Sequence, residues 1–342
     1  MEALCAELTA RSGETAGRPL STVYLGGGTP SLLSGAELRR IFQTLHSVYS
    51  LVKEAEVTIE VNPDDVSEEL VQTFLEVGIN RVSMGVQSFD DRQLLRLRRR
   101  HTSEQAQKAI GLLTDRGITN LSIDLIYGLP GQTLADWEKE VQTALQFPIS
   151  HLSAYALTYE EGTPLYRLRE AGKVQEADEE LSRDMYYSLI RRLKAAGFLH
   201  YEISNFALPG KISRHNSSYW KGVPYMGCGP GAHSYNGNDR RRWNEANLNA
   251  YLQSPGMPPF QTEILSATEI RNEKIFTELR TFDGVNLQDF ARCFGEAEMY
   301  GLIKMSRQYL EQGLLEKTDG HLKLTDSGLF LSDMIMSDLM SV

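Results

Sequence analysis

The chain has 342 residues, a formal net charge of −10 at pH 7, 41% hydrophobic residues and 23% charged residues. This composition is typical of a globular protein of about two domains, and it excludes a disordered chain and a coiled-coil rod. The acidic balance disfavours nucleic acid and anionic membrane surfaces as partners, and no stretch approaches the ~18 apolar residues of a membrane-spanning helix. Three scattered cysteines match neither a disulfide framework nor a metal-binding spacing, and their unpaired number predicts a reducing cytoplasm.

The first 205 residues alternate between strand-like and helix-like patterns. Runs of β-branched and apolar residues predict buried strands at 22–26, 56–61, 80–87, 120–127 and 150–157. Amphipathic segments lie between these runs, so the alternation predicts a parallel sheet with crossover helices. Residues 200–205 are either a last strand or an extension. The chain opens on a helix-like segment, 2–10, rather than on a strand.

The loops that follow four of the predicted strands are rich in Gly, Pro, Asn or Gln. Ligands of parallel α/β folds bind at the carboxyl ends of the strands, so these loops predict a site. The run of glycines at 26–28 leaves backbone N–H groups free to face a ligand, although it is also consistent with a tight turn.

Four polar positions near these strand ends are candidates for ligand contacts. Glu60 is placed to hold a ribose hydroxyl or an amine, or else it is a solvated acid at the rim. Gln87 ends the third strand. Asp124 lies within an apolar run, where a charge is costly unless it meets a ligand or an arginine. The basic run 98–100 is either a solvated helix face or the source of one arginine that grips a carboxylate.

Residues 206–261 are rich in Gly, Pro, Asn and aromatic residues, and we expect an irregular connecting region that carries function. Within this segment, His215 and His233 flank a loop that is rich in Gly and aromatic residues and that includes Tyr219, Trp220 and Tyr225. Such a group suits a flat aromatic ligand, while the alternative is that each histidine is structural.

The last segment, 262–342, predicts a small winged-helix-like module. Three amphipathic helices are expected near 267–281, 286–294 and 297–312, and a hairpin turns at Asp319-Gly320. Eight Lys and Arg face fourteen Asp and Glu here, which opposes DNA binding and favours packing or partner docking. The predicted domains are therefore 1–205, 206–261 and 262–342.

Seven segments in this order resemble the radical S-adenosylmethionine (SAM) enzymes of the oxygen-independent coproporphyrinogen III oxidase family. They are 24–31 (YLGGGTPS), 59–63 (IEVNP), 80–90 (NRVSMGVQSFD), 124–133 (DLIYGLPGQT), 201–207 (YEISNFA), 214–220 (RHNSSYW) and 229–234 (GPGAHS). The His-Asn-x-x-Tyr-Trp element is similar to the haem chaperone branch of that family.

The resemblance implies a fold and a set of site residues. The fold is α/β, a partial (β/α)6 barrel that lacks its first strand, followed by the C-terminal winged-helix-like module. The implied SAM-binding residues are Gly27, Gly28, Thr29, Glu60, Gln87, Arg99 and Asp124. The implied haem-binding candidates are His215, Tyr219 and His233.

The sequence departs from the family at the iron–sulfur site. The family carries a Cys-x-x-x-Cys-x-x-Cys loop after its first strand, and this chain has no such motif. A [4Fe–4S] cluster needs thiolate ligands, so we expect the cluster only in an intact family protein. The missing cysteines and the missing strand belong to one βα unit, and we expect that the chain starts at an internal Met and omits it.

The resemblance therefore predicts a haem chaperone that binds haem and, when intact, SAM and a [4Fe–4S] cluster. Haem would pass to an acceptor protein in the cytoplasm, and a homodimer is compatible with the sequence. Whether the chain is an enzyme stays open. The alternatives are a radical SAM decarboxylase of the coproporphyrinogen III oxidase type and a cluster-free protein that binds haem or a partner.

Overall fold

The computed structural model describes residues 1–341 and contains a curled, mostly parallel sheet of seven strands. These strands are β1 (Leu20–Leu25), β2 (Leu51–Val61), β3 (Arg81–Gln87), β4 (Leu121–Tyr127), β5 (His151–Ala156), β6 (Leu199–Glu202) and β7 (Asn205–Ala207). Their order is β1-β2-β3-β4-β5-β7-β6, and the first five are parallel. The predicted α/β partial barrel is confirmed, and residues 199–207 form an antiparallel hairpin at its far edge.

Helices precede and connect the strands of the sheet. They are α1 (Glu2–Ala10), α2 (Gly35–Val48), α3 (Glu68–Val77), α4 (Asp91–Arg96), α5 (Ser103–Asp115), α6 (Leu134–Ala144), α7 (Pro164–Glu170) and α8 (Glu179–Ala195). Capping boxes start several of them; the Ser34 hydroxyl, for example, accepts from the Glu37 amide at the start of α2. These boxes explain why the helix starts are sharp.

The strands alternate between an apolar outer face and a polar inner face. Ile59, Val82 and Ile123 point outward into the main hydrophobic core beneath the helices. Their neighbours Thr58 and Ser122 are also buried, but they belong to the inner face. Parallel strands buried on both faces usually read as continuous apolar runs. The alternation here shows that the concave side of the sheet encloses a polar lumen.

A short helix, α9 (Arg214–Trp220), closes the open side of the curled sheet. His215 Nδ1 lies 2.8 Å from Thr22 Oγ1 on β1, and Asn216 Nδ2 donates to the Tyr201 hydroxyl on β6 at 3.5 Å. The buried Glu56 carboxylate accepts from the amides of Arg214 and His215, both at 2.9 Å. A carboxylate at a helix N-terminus is favourable because it meets the positive end of the helix dipole.

The segment 206–261 is more regular than the sequence analysis expected. Besides α9, it holds most of a three-stranded antiparallel sheet and one more helix. They are β8 (His233–Tyr235), β9 (Arg240–Asn244), α10 (Leu248–Gln253) and β10 (Phe260–Ile264). The expectation of an irregular region was wrong because strands such as Arg240–Asn244 consist almost entirely of polar residues, so they carry no apolar alternation.

The N-terminal helix is fastened to this segment by a buried carboxylate. Glu7 is fully buried and accepts from Arg11 at 3.0 Å, Asn244 at 2.7 Å, the Tyr251 hydroxyl at 2.8 Å and the Gly229 amide at 2.9 Å. A buried charge with four donors is well compensated. Helix α1 is therefore an integral part of the fold.

The C-terminal module has its own hydrophobic core, centred on residues such as Ile275, Phe290 and Leu302. Its elements are α11 (Ala267–Leu279), β11 (Val285–Asn286), α12 (Leu287–Phe294), α13 (Glu296–Glu311), β12 (Leu315–Thr318), β13 (His321–Leu324), α14 (Asp326–Leu329) and α15 (Ser332–Asp338). Asp319 and Gly320 both have positive φ at the predicted hairpin turn. Among residues 1–341, no helix has the length and apolar character needed to cross a membrane.

Candidate functional site

A polar cavity of about 230 Å³ opens inside the lumen of the curled sheet. Residues from all seven strands and from α9 with its cap line it. They are Tyr24, Glu60, Arg81, Ser83, Asp124, His151, Ser153, Tyr155, Tyr201, Asn205, Ser213, His215, Asn216 and Tyr219. The cavity therefore brings together two residues predicted for SAM, Glu60 and Asp124, and two predicted for haem, His215 and Tyr219.

Glu60 is held at the carboxyl end of β2 by two donors. The Tyr24 hydroxyl donates to one carboxylate oxygen at 2.7 Å, and the Gly27 amide donates to the other at 3.2 Å. A Cβ at Gly26 would lie 2.5 Å from the Tyr24 ring and 2.8 Å from Glu60 Oε1. The first glycine of the run is therefore required by close packing. Gly27 and Gly28 are exposed, with no atom within 4 Å of where a side chain would begin.

Gln87 and Arg99 meet beside Gly85 at the same edge of the sheet. A Cβ at Gly85 would lie 2.9 Å from Gln87 Nε2 and 3.2 Å from Arg99 Nη2. Arg99 donates to Asn62 Oδ1 at 2.9 Å and to the Gly85 carbonyl at 3.2 Å. Gln87 has a φ of 68°, a left-handed conformation that is uncommon for a non-glycine residue and is concentrated at functional sites.

The three arginines of the basic run have different environments. Arg98 is exposed, and Arg100 forms ion pairs with Asp64 and Asp65 on the outside of the loop. Only Arg99 of the three turns toward the strand ends. Arg98 and Arg100 are therefore surface residues, and a ligand carboxylate held by Arg99 stays a prediction.

Asp124 lies on the lumen face of β4, where Ser83 Oγ donates to it at 3.4 Å. Burial raises the pKa of this carboxyl to about 6, against the opposing effects of Ser153 and of the positive charge of Arg81. The sequence left open an ion pair with an arginine. Within residues 1–341, no arginine nitrogen lies within 4 Å of the Asp124 carboxylate, so that alternative is not realised as a direct contact.

His215 and Tyr219 occupy one side of the cavity. The His215 ring stacks on Tyr24 with centroids 4.8 Å apart, and its Nε2 lies 2.9 Å from the Tyr219 hydroxyl. Burial lowers the pKa of His215, so the imidazole is neutral at pH 7. The Tyr219 side chain is 39% exposed and also packs edge-on against Tyr225. Both ring nitrogens of His215 are therefore engaged, and the exposed partner of the pair is Tyr219.

His233 lies apart from the cavity. It is exposed on β8, where its ring stacks on Trp243 with centroids 5.8 Å apart. Thr29, at the end of the glycine loop, starts a short 3-10 turn and also does not line the cavity. The predicted SAM residues otherwise gather at one sheet edge, and their ligand roles stay predictions.

The sequence analysis missed several lumen residues, above all Arg81, His151 and Tyr201. His151 is buried, with Nδ1 2.7 Å from Ser122 Oγ and Nε2 2.8 Å from the Tyr201 hydroxyl. Burial holds its pKa well below the usual range, so it is neutral. Arg81 and His151 are polar positions in period-two alternation with buried apolar residues, and that alternation is the signal that would have found them. Tyr201 lies between His200 and Glu202 and carries no such signal.

The residues present fit SAM. The exposed backbone of Gly27 and Gly28 has open space above it, and the Glu60 carboxylate and the Arg99 guanidinium lie at the same edge as hydrogen-bonding groups of opposite charge. Such groups can hold a ribose and an amino-acid end.

The residues present do not fit a [4Fe–4S] cluster. Cys5 is buried in α1, Cys293 is exposed on α12, and burial raises the pKa of the Cys228 thiol to about 12. Within the described chain, no three His, Cys, Asp or Glu side chains form a group that could hold a metal ion. Cluster ligands are thiolates, and the three cysteines of this chain do not provide a set of them.

Two family models match the chain: the radical SAM superfamily over residues 6–144 and the HemN C-terminal domain over residues 265–331. Among curated proteins, the heme chaperone HemW of Bacillus subtilis is 33% identical over 98% of this chain and 89% of its own length. HemW of Mycobacterium tuberculosis is 36% identical over 99% of the chain and 85% of its own length.

More distant likenesses agree with these. The mitochondrial radical S-adenosyl methionine domain-containing protein 1 of Danio rerio is 31% identical over 94% of this chain and 75% of its own length. The solved structure of coproporphyrinogen III oxidase (HemN) from Escherichia coli, a radical SAM enzyme, superimposes with a TM-score of 0.84 over 99% of this chain and 82% of that one. At 21% identity, that match concerns the fold alone.

Proposed function

The chain belongs to the HemW family within the radical SAM superfamily, and from this membership we propose that it is a haem chaperone. It binds haem at the aromatic side of the lumen and delivers it to an acceptor protein. The observation that carries the proposal is identity of 33–37% to several proteins named heme chaperone HemW. The unpaired cysteines support the cytoplasm as its compartment.

The chemistry of the α9 residues supports haem as the cargo. His215 is neutral, and a neutral imidazole is the form that ligates iron. Its Nε2 is hydrogen-bonded to Tyr219, however, so ligation by His215 requires that this bond break. A tyrosine oxygen is also a known haem ligand. We propose that one residue of this pair ligates the iron and the other positions it.

SAM is proposed at the neighbouring sheet edge, held by Gly27, Gly28, Glu60, Arg99 and the adjoining polar groups. The radical chemistry of the superfamily is supplied by its cofactors, and the protein contributes binding and orientation. In this chain, the Tyr24 hydroxyl and the Gly27 amide hold the Glu60 carboxylate in place. The Tyr24 ring also stacks on the imidazole of His215.

Titration with ferric haem, followed through the Soret band, tests the proposal. We expect saturable binding by the wild type. We expect a weakened or shifted Soret band in His215→Ala or in Tyr219→Phe, because one of these two substitutions removes the side chain that ligates the iron. If only His215→Ala alters the band, His215 is the ligand; if only Tyr219→Phe alters it, Tyr219 is. His46→Ala is the control, because His46 is exposed on α2. Binding that is unsaturable, or equal in all variants, would contradict haem binding on α9.

His233 is a rival candidate in the same titration. A Soret change confined to His233→Ala would place the haem site on the exposed face of β8, away from the lumen.

For the acceptor, transfer of bound haem to a haem-free globin measures whether the protein releases its haem. A homodimer is proposed as the assembly, and a single 38.5 kDa species at every concentration in sedimentation would contradict it.

A further inference from the structure

An arginine side chain in the lumen has no partner. Arg81, the first residue of β3, is 3% exposed and lines the cavity. Among residues 1–341, no group lies within hydrogen-bonding reach of its Nε, and the guanidinium makes no ion pair. An arginine cannot shed its proton at any ordinary pH, so a buried guanidinium must be compensated.

A second polar group without a partner lies next to it. Thr58 on β2 is the register partner of Arg81, is fully buried, and has a hydroxyl without a hydrogen-bond partner in the described chain. Native structures leave few buried polar atoms unsatisfied. Two unsatisfied polar atoms on paired residues of adjacent strands therefore indicate one candidate binding position. Both groups can donate hydrogen bonds to a ligand there.

In the described chain, no surrounding residue forms a direct contact pair with the guanidinium, although its charge lowers the pKa of Asp124. His151 is neutral, and its ring nitrogens are taken by Ser122 and Tyr201. Glu60 is held by Tyr24 and Gly27. Asp124 receives a hydrogen bond from Ser83 and forms no contact pair with the guanidinium. The arginine therefore lies at the bottom of an open cavity with its donors unused.

We propose that Arg81, assisted by Thr58, binds a carboxylate that enters the lumen from a ligand seated at the rim. A guanidinium recognises a carboxylate through two parallel hydrogen bonds, and the threonine hydroxyl adds a third donor. This inference rests on the proposed function, because the carboxylate comes either from a propionate arm of the tetrapyrrole or from the amino-acid end of SAM.

The size of the cavity fits an arm rather than a whole ligand. Sites for drug-sized molecules typically enclose ~300–1,000 Å³, whereas this cavity is about 230 Å³. A macrocycle would remain outside, against the exposed faces of Tyr155 and Tyr219, which are 46% and 39% exposed. A propionate chain would reach inward past them.

Metal-free protoporphyrin IX and its dimethyl ester test this contact without iron ligation. Porphyrin fluorescence measures both affinities in wild type, Arg81→Met, Arg81→Lys and Thr58→Val. We expect the wild type to prefer the free acid by about tenfold or more, since a charge-assisted hydrogen bond is worth that factor. Arg81→Met should abolish the preference, and Arg81→Lys should keep part of it. Arg100→Met is the matched control, because Arg100 is 58% exposed.

Calorimetric titration of SAM into the same variants distinguishes the two carboxylates. A tenfold loss of SAM affinity in Arg81→Met, with the porphyrin preference intact, assigns the site to the amino-acid end of SAM. The proposal is overturned if Arg81→Met leaves both the porphyrin preference and the SAM affinity within twofold of wild type. Failure of the haem proposal looks different, because the wild type then binds neither porphyrin while the SAM titration still reports on Arg81.

Discussion

Arg81→Met should stabilise the ligand-free protein, although it removes a charged residue from the interior of the fold. The guanidinium is 3% exposed and unpaired in the described chain, so folding removes it from water without an equivalent return. Methionine retains much of the side-chain length and has no charge to desolvate. The substitution therefore removes a cost and leaves the packing of the lumen nearly unchanged.

The magnitude follows from replacing uncompensated buried charge by an apolar group of similar size. Replacement of a buried ion pair by apolar residues of similar volume is neutral or raises the free energy of unfolding by about 1–4 kcal/mol, and we take the same range for this unpaired charge. Part of that gain is lost, because Arg81 also lowers the pKa of Asp124. We expect a net gain of about 1–3 kcal/mol, which is about 1–4 °C in Tm at an unfolding entropy of about 2.1 cal/mol/K per residue.

Urea unfolding and calorimetry at pH 7 without ligand provide the assay, and NMR titration of Asp124 provides a second readout. In Arg81→Met, the pKa of Asp124 should rise further above about 6, because a neighbouring positive charge is gone. Arg100→Met should change stability by less than about 1 kcal/mol, since Arg100 pairs on the surface.

The opposite result would refute the reasoning. If Arg81→Met and Asp124→Asn each cost about 3–5 kcal/mol, and the double variant costs no more than either, the two residues form a structural ion pair in solution. The guanidinium would then have no unused donors for a ligand.

Three further outcomes follow from the geometry. Glu7→Gln should lower the free energy of unfolding by about 3 kcal/mol, since the buried Arg11 loses its buried charged partner and keeps only Glu14. Glu14→Gln should cost less than about 1 kcal/mol, because Glu14 is half-exposed, and urea titration compares the two variants. In the same assay, Gly26→Ala should lower the free energy of unfolding by about 1–3 kcal/mol, because its Cβ would lie 2.5 Å from the Tyr24 ring. Gly28→Ala is the control and should change it little, because the space around Gly28 is open. The raised pKa of Asp124 means that the folded state binds its proton more tightly, so stability falls as pH rises from about 4 to about 6; Asp124→Asn should flatten this slope, and an unchanged slope would contradict the burial effect.

The strands of the sheet could be predicted because they are runs of β-branched and apolar residues that differ clearly from the amphipathic segments between them. The predicted and observed bounds of β3, β4 and β5 agree within one residue at each end. The start of β2 was predicted too late, since Leu51 joins the strand only through pairing with Leu20 on β1, and its neighbours Lys53 and Glu54 carry no apolar signal. Tertiary pairing, rather than local pattern, determines that end of the strand.

Helix α9 could not be found by periodicity. The segment RHNSSYW has no apolar stripe, and none of its residues is buried. The helix forms because Ser213 caps it and because Glu56, distant in sequence, accepts two amides at its N-terminus. His215 and Tyr219 were selected from the histidines and aromatic residues of this segment and from the family resemblance, whereas their position at the edge of β1 emerges only when the chain is folded.

The polar lumen explains why the candidate site is a property of the whole sheet rather than of one motif. A parallel sheet needs both faces covered, and here the inner face is covered by one short helix and by mutually bonded polar side chains. His151, Glu56 and Glu60 each have their partners within the chain. Among the described residues that line the cavity, Arg81 alone has a fully buried side-chain atom without a hydrogen-bond partner, and its neighbour Thr58 has another. Folding alone gives no reason to bury a permanent cation without a partner, whereas recognition of a carboxylate does.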